Sequence, residues 1–320
     1  MGLNDEFDLI RQYFAPLAAG APGARGLLDD AATISPIDGC ELVVTMDTVA
    51  AGIHYLNDET PVNIVAKLMG SNLSDLAAMG AKPKGFTLSC GWPNDIDANG
   101  IEAFAHAMAA WVTMYSFPLL GGDTVKTSGN AVFTVTAFGD VPIGRAISRG
   151  GAKTGDQVFV TGTIGDGALG LLAAQHKLKG TSDEDQAYLT DRYRVPQPRI
   201  KVGQSLVGHA SACIDISDGL LQDLGHIART SNVRIELEID AIPLSDAAKR
   251  VIESNPEMMS LVLSGGDDYE LAFTGPSSPA RSDVPITRIG DVVSGDPDVV
   301  VHANDGSLLE VAKSGYNHFA

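Results

Sequence analysis

The sequence predicts an α/β (α+β) protein of two domains. Strand-like and helix-like patterns alternate along its first half, a glycine-rich basic segment interrupts them, and the alternation then resumes. At 320 residues, 44% of them apolar, the chain can bury a substantial core and is expected to divide it.

Residues 41–48 are rich in β-branched side chains and predict a strand with Asp47 near its C-terminal end. Residues 62–79 predict a helix. Val65, Leu68, Met69, Leu73 and Leu76 recur at helical spacing, Gly80 suits the C-cap, and Pro83 follows. Asp75 shares the inward stripe of this helix, two turns after Leu68 and one turn after Asn72. A carboxylate on a buried stripe needs a partner or a metal. Residues 100–115 predict a second helix and 131–141 an alternating strand. Residues 144–155, with repeated glycine and with Arg145, Arg149 and Lys153, place the domain boundary, giving domains 1–147 and 148–320. A strand over 157–161 leads through a glycine turn over 162–167 into a helix from Ala168. Residues 179–198 are polar and proline-bearing and read as surface structure. A helix marked by Leu220, Leu221, Leu224, Ile227 and Ala228 opens just after Asp218. Residues 234–239, 269–274, 286–293 and 299–302 read as further strands.

Acidic residues recur beside glycine and small hydroxyl residues: Asp29-Asp30, Thr45-Met46-Asp47-Thr48, Ser74-Asp75, Gly121-Gly122-Asp123-Thr124, Asp215-Ile216-Ser217-Asp218-Gly219 and Gly265-Gly266-Asp267-Asp268. Two bare carboxylates about 4 Å apart repel by roughly 4 kcal/mol at an effective dielectric near 20. A cluster of them needs protons, basic partners or metal ions. Oxygen-only ligands suit magnesium or calcium, and magnesium usually arrives with a substrate phosphate. Metal-assisted phosphate chemistry is therefore the leading expectation.

Each motif also has a plainer reading. Gly-Gly-Asp is ordinary turn chemistry. Ser217 or Asp218 would serve as a helix N-cap, although capping alone uses only one polar residue of that run. Asp215 and Asp218 read as a metal pair near a positive helix end. His54 is by default structural. Arg149 is a loop charge or a clamp on a nucleotide phosphate. Residues 165–170 match GxGxxG after a strand and before a helix, but residues 181–192 lack the second strand and acid that a dinucleotide fingerprint requires. What survives there is a helix N-terminus able to hold a phosphate, set against a simple strand-to-helix turn. Walker A, HRD, DFG, GxSxG, HExxH and paired CxxC patterns do not occur.

The net charge of −18, without a Lys/Arg run, argues against nucleic acid and anionic membrane as partners. Cys40, Cys90 and Cys213 form no CxxC pair and fit reduced thiols. The N-terminus lacks a signal-peptide profile, and no apolar stretch is long enough to span a bilayer, so a cytoplasmic protein is expected.

Several runs together resemble the thiamine-monophosphate kinases. They are Asp29-Asp-Ala-Ala32, Asp47-Thr48 followed by Gly52-x-His54, residues 72–83 (NLSDLAAMGAKP) and Gly121-Gly-Asp-Thr124. They continue with 149–156 (RGGAKTGD), Asp215-Ile-Ser-Asp-Gly219, 265–271 (GGDDYEL) and the closing Gly315-Tyr-Asn-His-Phe319. The match runs in order from about residue 7 to the C-terminus.

The resemblance implies a two-domain synthetase-like fold, akin to aminoimidazole-ribonucleotide and selenophosphate synthetases. An N-terminal domain of sheet and helices would bind ATP and metal and pair into a homodimer, and a mixed α/β domain would follow. It implies transfer of the γ-phosphoryl group of ATP to thiamine monophosphate with the help of several Mg2+ ions. By position, Asp30, Thr45, Asp47, Asp75, Asp123, Asp215 and Asp218 fall at metal contacts. Tyr115, Gly122, Asp123, Arg149 and Ser217 fall at ATP contacts, and His54, Asp267 and Tyr316 at substrate contacts. No residue is implied as a catalytic acid or base, and Asp29 and Asp268 receive no role. Leu28, Met46 and Asp267 depart from the family pattern, which has glycine, a small hydroxyl residue and glutamate there. The alternatives are a related ATP-dependent synthetase, a non-catalytic nucleotide or metal sensor, and a dinucleotide-dependent oxidoreductase. Cys40 lies outside the glycine-rich segment that a selenophosphate synthetase would need.

Overall fold

The computed structural model describes residues 6–29, 31–35, 37–277, 279, 282–309 and 315. Two compact units emerge, Met1–Leu76 with Ala81–Gly144 and Ala77–Gly80 with Arg145–Ala320.

The first unit begins with α1 (Glu6–Leu9), followed by a π-helical turn (Ile10–Phe14) and two tighter 3-10 segments (Ala15–Ala18 and Pro22–Leu27). Its regular elements are β1 (Cys40–Ala50), α2 (Pro61–Ala78), β2 (Lys82–Trp92), α3 (Ala98–Tyr115), β3 (Leu119–Lys126) and β4 (Val132–Pro142). The strands form one sheet in the order β1-β4-β2-β3. Pairing is antiparallel except between β2 and β3. The apolar stripe of α2 predicted from spacing is its buried face, with Val65, Leu68, Met69, Leu73 and Leu76 fully shielded. In α3, Ile101, Phe104, Ala105 and Met108 do the same. Trp92, Phe104 and Phe133 meet with ring centroids 4.7–5.2 Å apart, joining β2, α3 and β4. Aromatic pairs of this geometry add about 0.5–1.5 kcal/mol each beyond area burial.

The second unit contains β5 (Gln157–Thr161), α4 (Asp166–Ala174), α5 (Asp183–Arg194), α6 (Ile200–Leu206), β6 (Ala212–Asp215), α7 (Leu220–Ser231) and β7 (Arg234–Glu238). It continues with α8 (Asp246–Ser254), α9 (Met258–Ser264), β8 (Leu271–Gly275), β9 (Ile286–Val293) and β10 (Asp298–His302). Its sheet runs β10-β7-β9-β5-β8-β6. Strand β5 is antiparallel to both of its neighbours, β8 and β9. A dinucleotide-binding βαβ unit needs parallel strands around its first strand, so this topology removes the oxidoreductase alternative.

Residues 179–198 correct the surface expectation. They contain α5, which buries Asp185, Leu189, Arg192 and Tyr193. Two of those buried side chains are charged, so hydropathy alone hides the inward face.

Gly170 explains the end of the GxGxxG run in packing terms. A Cβ there would stand 2.1 Å from the Leu189 carbonyl oxygen and 2.8 Å from Tyr193 Cβ, so the close approach of α4 to α5 depends on its absence. Gly170→Ala is expected to cost about 1–3 kcal/mol through overpacking. A urea melt checks this, and an unchanged midpoint would refute the packing account.

Candidate active site

In the first unit, the period-2 alternation of β1 separates two faces. Val43, Thr45, Asp47 and Val49 lie on one face, which is buried or half-buried. Leu42, Val44, Met46 and Thr48 are exposed on the other. Asp47 and Thr45 are tied to α2. The Asp47 N–H donates to Asn72 Oδ1 at 3.2 Å, and the Thr45 hydroxyl donates to Asp75 Oδ2 at 2.5 Å. Asn72 is fully buried and its amide nitrogen donates to the Leu68 carbonyl at 2.8 Å, which turns its oxygen toward β1. Thr45 and Asp75, predicted from separate motifs, therefore meet where β1 is tied to α2, and the backbone of Asp47 is bound to the same helix one turn earlier. The Met46 side chain is 63% exposed on the opposite face from Asp47.

Gly121, Gly122 and Asp123 lie inside β3, opposite Thr87, Leu88 and Ser89, which corrects the turn reading of that motif. A Cβ on Gly122 would meet the Leu88 carbonyl oxygen at 1.9 Å, so the pairing of β2 with β3 requires glycine there. Asp123 is exposed and accepts the Thr124 N–H at 2.9 Å. Burial, with the Asp123 charge adding to it, holds the Cys90 thiol well above its ordinary range. A cavity of about 370 Å³ is lined by Asp29, Gly122 and Asp123 together with Phe14, Leu27 and Leu120. Asp29 is paired with Arg25. Asp30 lies outside the described residues. His54 Nδ1 accepts the Ala50 N–H at 3.1 Å, so that ring nitrogen carries no proton and caps the end of β1. Tyr115 ends α3 and stacks on Trp111 with centroids 5.5 Å apart.

In the second unit, Asp215 closes β6 and is 3% exposed. The segment after it runs beside the 265–270 loop. The Ile216 N–H donates to Glu270 O, and the Asp267 and Tyr269 N–H groups donate to the carbonyls of Ser217 and Ile216, all at 2.8–2.9 Å. This ladder extends the β6–β8 pairing past Asp215 and brings Asp215, Ser217, Asp218 and Asp267 into neighbouring loops. Asp267 and Tyr269 have left-handed φ of 71° and 51°. Such strained backbone persists only where its surroundings over-determine it. The Tyr269 hydroxyl donates to Asp267 Oδ1 at 3.1 Å.

Asp268 and Glu270 are the anchors on either side. Asp268 accepts the N–H groups of Gly165 and Gly167 at 2.7 and 2.9 Å. Burial, reinforced by Asp166, pushes its pKa up to about 8 against those two donors. These N–H groups already hold an internal carboxyl, which corrects the reading of the α4 N-terminus as a phosphate site. Glu270 is fully buried among Thr161, Arg192 and Arg199. Burial disfavours the Arg192 charge, yet Glu270, Asp166 and Asp268 more than offset it and its pKa stands above the ordinary value.

The positive end of α7 is occupied in the same way. Asp223 Oδ2 accepts the N–H groups of Ser217, Asp218 and Gly219 at 3.0, 3.0 and 3.1 Å. Burial, with Asp218 adding, pushes the Asp223 pKa up to about 7. The Arg149 side chain is exposed, and its carbonyl is held by the Thr230 and Ser231 hydroxyls at 3.0 and 3.4 Å. Tyr316 lies outside the described residues. Motif reading misses Asp223, Arg192 and Arg199, and it gives no role to Glu270, which lies within the 265–271 run. The one available signal is for Asp223, an acid in the first turn of a helix.

The donors gathered in each unit are carboxylate, hydroxyl and carbonyl oxygens, the set that magnesium prefers. Among the described residues, no three His, Cys, Asp or Glu side chains form a metal-holding group by themselves.

The AIR synthase related protein N-terminal domain family matches residues 28–141, and its C-terminal domain family matches 153–317. The thiamine-monophosphate kinase of Caulobacter vibrioides is 41% identical over 302 residues, 91% of this chain and 85% of that one. That of Salmonella typhimurium is 40% identical over 324 residues, 98% of each chain. The chain belongs to the thiamine-monophosphate kinase family. A solved structure of AaThiL complexed with AMPPCP and TMP superposes with a TM-score of 0.79 at 31% identity, over 99% of this chain and 97% of that one. Within the thiamine-monophosphate kinase family, then, the two-domain synthetase-like fold expected from the sequence is the fold found. Among the described residues no helix is long and apolar enough to cross a membrane.

Proposed function

We propose that this chain transfers the γ-phosphoryl group of ATP to thiamine monophosphate, giving thiamine diphosphate and ADP. The observation that carries this reading is the near-full-length similarity to thiamine-monophosphate kinases, 98% of both chains in one case, in a chain that has an acid at six of the seven expected metal positions and the hydroxyl of Thr45 at the other. Residues 1–147 form the ATP- and metal-binding, dimer-forming domain, and 148–320 the mixed α/β domain. The exposed apolar residues Leu42, Val44 and Met46 on β1 support pairing of two copies into a homodimer. The working location is the cytoplasm, and neither nucleic acid nor membrane is a partner.

Asp30, Thr45, Asp47, Asp75, Asp123, Asp215 and Asp218 would hold magnesium. Bound there, magnesium supplies charge neutralisation between two phosphate-bearing reactants and aligns them for in-line transfer. Tyr115, Gly122, Asp123, Arg149 and Ser217 bind ATP, and Arg149 offers a bidentate fork to phosphate oxygens. His54, Asp267 and Tyr316 bind thiamine monophosphate. The Tyr269 hydroxyl on Asp267 Oδ1 fixes that carboxylate, which is one methylene shorter than the family's glutamate. No side chain acts as a general base, because the attacking phosphate oxygen is already ionised near neutral pH. The transfer is direct, without a phosphoenzyme.

ADP release tests the reading. With Mg2+, ADP appears when thiamine monophosphate is supplied and not with free thiamine, and chelator abolishes it. Activity on free thiamine alone would overturn the substrate assignment. Full activity in chelator would overturn the metal.

A further inference from the structure

Asp223 belongs to none of the recognised motifs, yet it organises the loop that carries Asp215, Ser217 and Asp218. It stands in the first turn of α7 and is 3% exposed. One of its oxygens receives three successive backbone N–H groups, those of Ser217, Asp218 and Gly219, at 3.0–3.1 Å. Successive N–H groups converging on one point form an anion nest. In most phosphate-binding loops such a nest faces the ligand. Here the protein fills it with its own carboxylate, so the loop closes inward and its side chains are left to face other groups. The outer side of the loop is fixed independently. Its carbonyls at Ile216 and Ser217 are taken by the N–H groups of Tyr269 and Asp267, and Gln222 donates to Asp218 Oδ2 at 3.0 Å. The backbone between Asp215 and Gly219 is thus held from both sides, and on the inner side Asp223 takes three successive N–H groups.

We propose that Asp223 is a positioning residue for the metal-binding loop. It closes residues 217–219 around its own carboxylate so that Asp215 and Asp218 are presented in one geometry, and it removes the α7 N-terminus as a phosphate site. The proposal rests on the reading of Asp215 and Asp218 as metal ligands, and its test separates the two. Groups that orient metal ligands without touching the metal typically change affinity 10- to 100-fold when removed.

The experiment titrates Mn2+ alone, by calorimetry and by the loss of free-ion paramagnetic signal, into wild type, D218N, D223A and D223N. Circular dichroism and thermal melts are recorded on each. D218N is expected to lose the binding that depends on this loop. D223A is expected to weaken that same binding about tenfold or more, with a parallel rise in the Mg2+ concentration that gives half-maximal ADP release. D223N keeps an acceptor of the same shape but loses the charge-assisted character of the bonds, and it is expected to weaken binding about threefold, a partial rescue of D223A. If D218N binds Mn2+ as wild type does, the ligand assignment fails. If D218N loses binding while D223A and D223N keep the wild-type affinity, the positioning role fails and the ligand assignment stands. If D223A does not fold, D223N decides, and a wild-type affinity in it overturns the proposal.

Discussion

Asp47→Asn and Asp75→Asn each reduce turnover by at least about 10³-fold while leaving the fold intact. Asparagine keeps the shape of aspartate and one acceptor oxygen, so the geometry of this part of the first unit survives either change. The bond from the Asp47 N–H to Asn72 Oδ1 is made by backbone and does not depend on the side chain at 47. The Thr45 hydroxyl can donate to an amide oxygen at position 75 as it does to Asp75 Oδ2. What disappears is the one negative charge that, on the proposed reading, would face magnesium. At about 4 Å and an effective dielectric near 20 that charge is worth roughly 4 kcal/mol, about three decades of rate at 1.36 kcal/mol per decade. Steady-state ADP release at saturating Mg2+, beside thermal melts of both variants, makes the measurement. Either variant turning over at near the wild-type rate would remove these carboxylates from the proposed metal set. A melting temperature that collapses along with the rate would show that they hold the fold instead.

The parts of this site that are readable from sequence are those whose local pattern and function coincide. Asp47 lies in a β-branched run and Asp75 on a clean helical stripe, so strand, helix and both acids emerge together. Strands β2 and β3 do not, because Pro83, Gly85 and Gly91 dilute one, and Gly121 and Gly122 give the other the composition of a turn. Pairing within the sheet overrides that composition, and for Gly122 the reason is visible in the Leu88 carbonyl that leaves no room for a Cβ. The N-terminus of α4 fails for a different reason. Motif and position there suggest phosphate binding, but the N–H groups of Gly165 and Gly167 are held by Asp268, over a hundred residues away in sequence. The N–H groups ahead of α7 are likewise held by Asp223, which no motif marks. Only a folded chain reveals that an anion site has been filled from within. The same holds for α5, whose inward face includes Arg192 and Asp185 and so carries no hydrophobic signature.

Glu270→Ala shows the opposite pairing of effects, a large loss of stability with catalytic residues untouched. Glu270 is fully buried and both its oxygens are used. Oε2 accepts from the Thr161 hydroxyl and from Arg199 Nε, each at 2.6 Å, while Oε1 accepts from Arg192 at 3.0 Å and from the second nitrogen of Arg199. Truncation leaves two guanidinium groups in a buried place. Arg192 is 7% exposed and retains only Asp166, at 3.6 Å, as a charged partner among the described ion pairs. Breaking a buried pair by removing one partner typically costs about 3–5 kcal/mol, because the surviving charge stays desolvated. That is a large share of the 5–15 kcal/mol that keeps a domain folded. The urea midpoint of the second unit is therefore expected to fall steeply. The Ile216 N–H bond to the carbonyl of residue 270 belongs to the backbone and persists. At low temperature, where the variant is still folded, Asp215, Ser217, Asp218 and Asp267 keep their places and the turnover number per folded molecule stays near wild type. Replacing all three charged partners with apolar residues of similar volume (E270M with R192M and R199M) recovers most of the lost stability, since a buried ionic group adds little beyond a well-packed apolar one. A Glu270→Ala protein that melts like wild type would mean that Arg192 and Arg199 reach water or new partners at little cost, and the network would then no longer account for how the 265–270 loop is held.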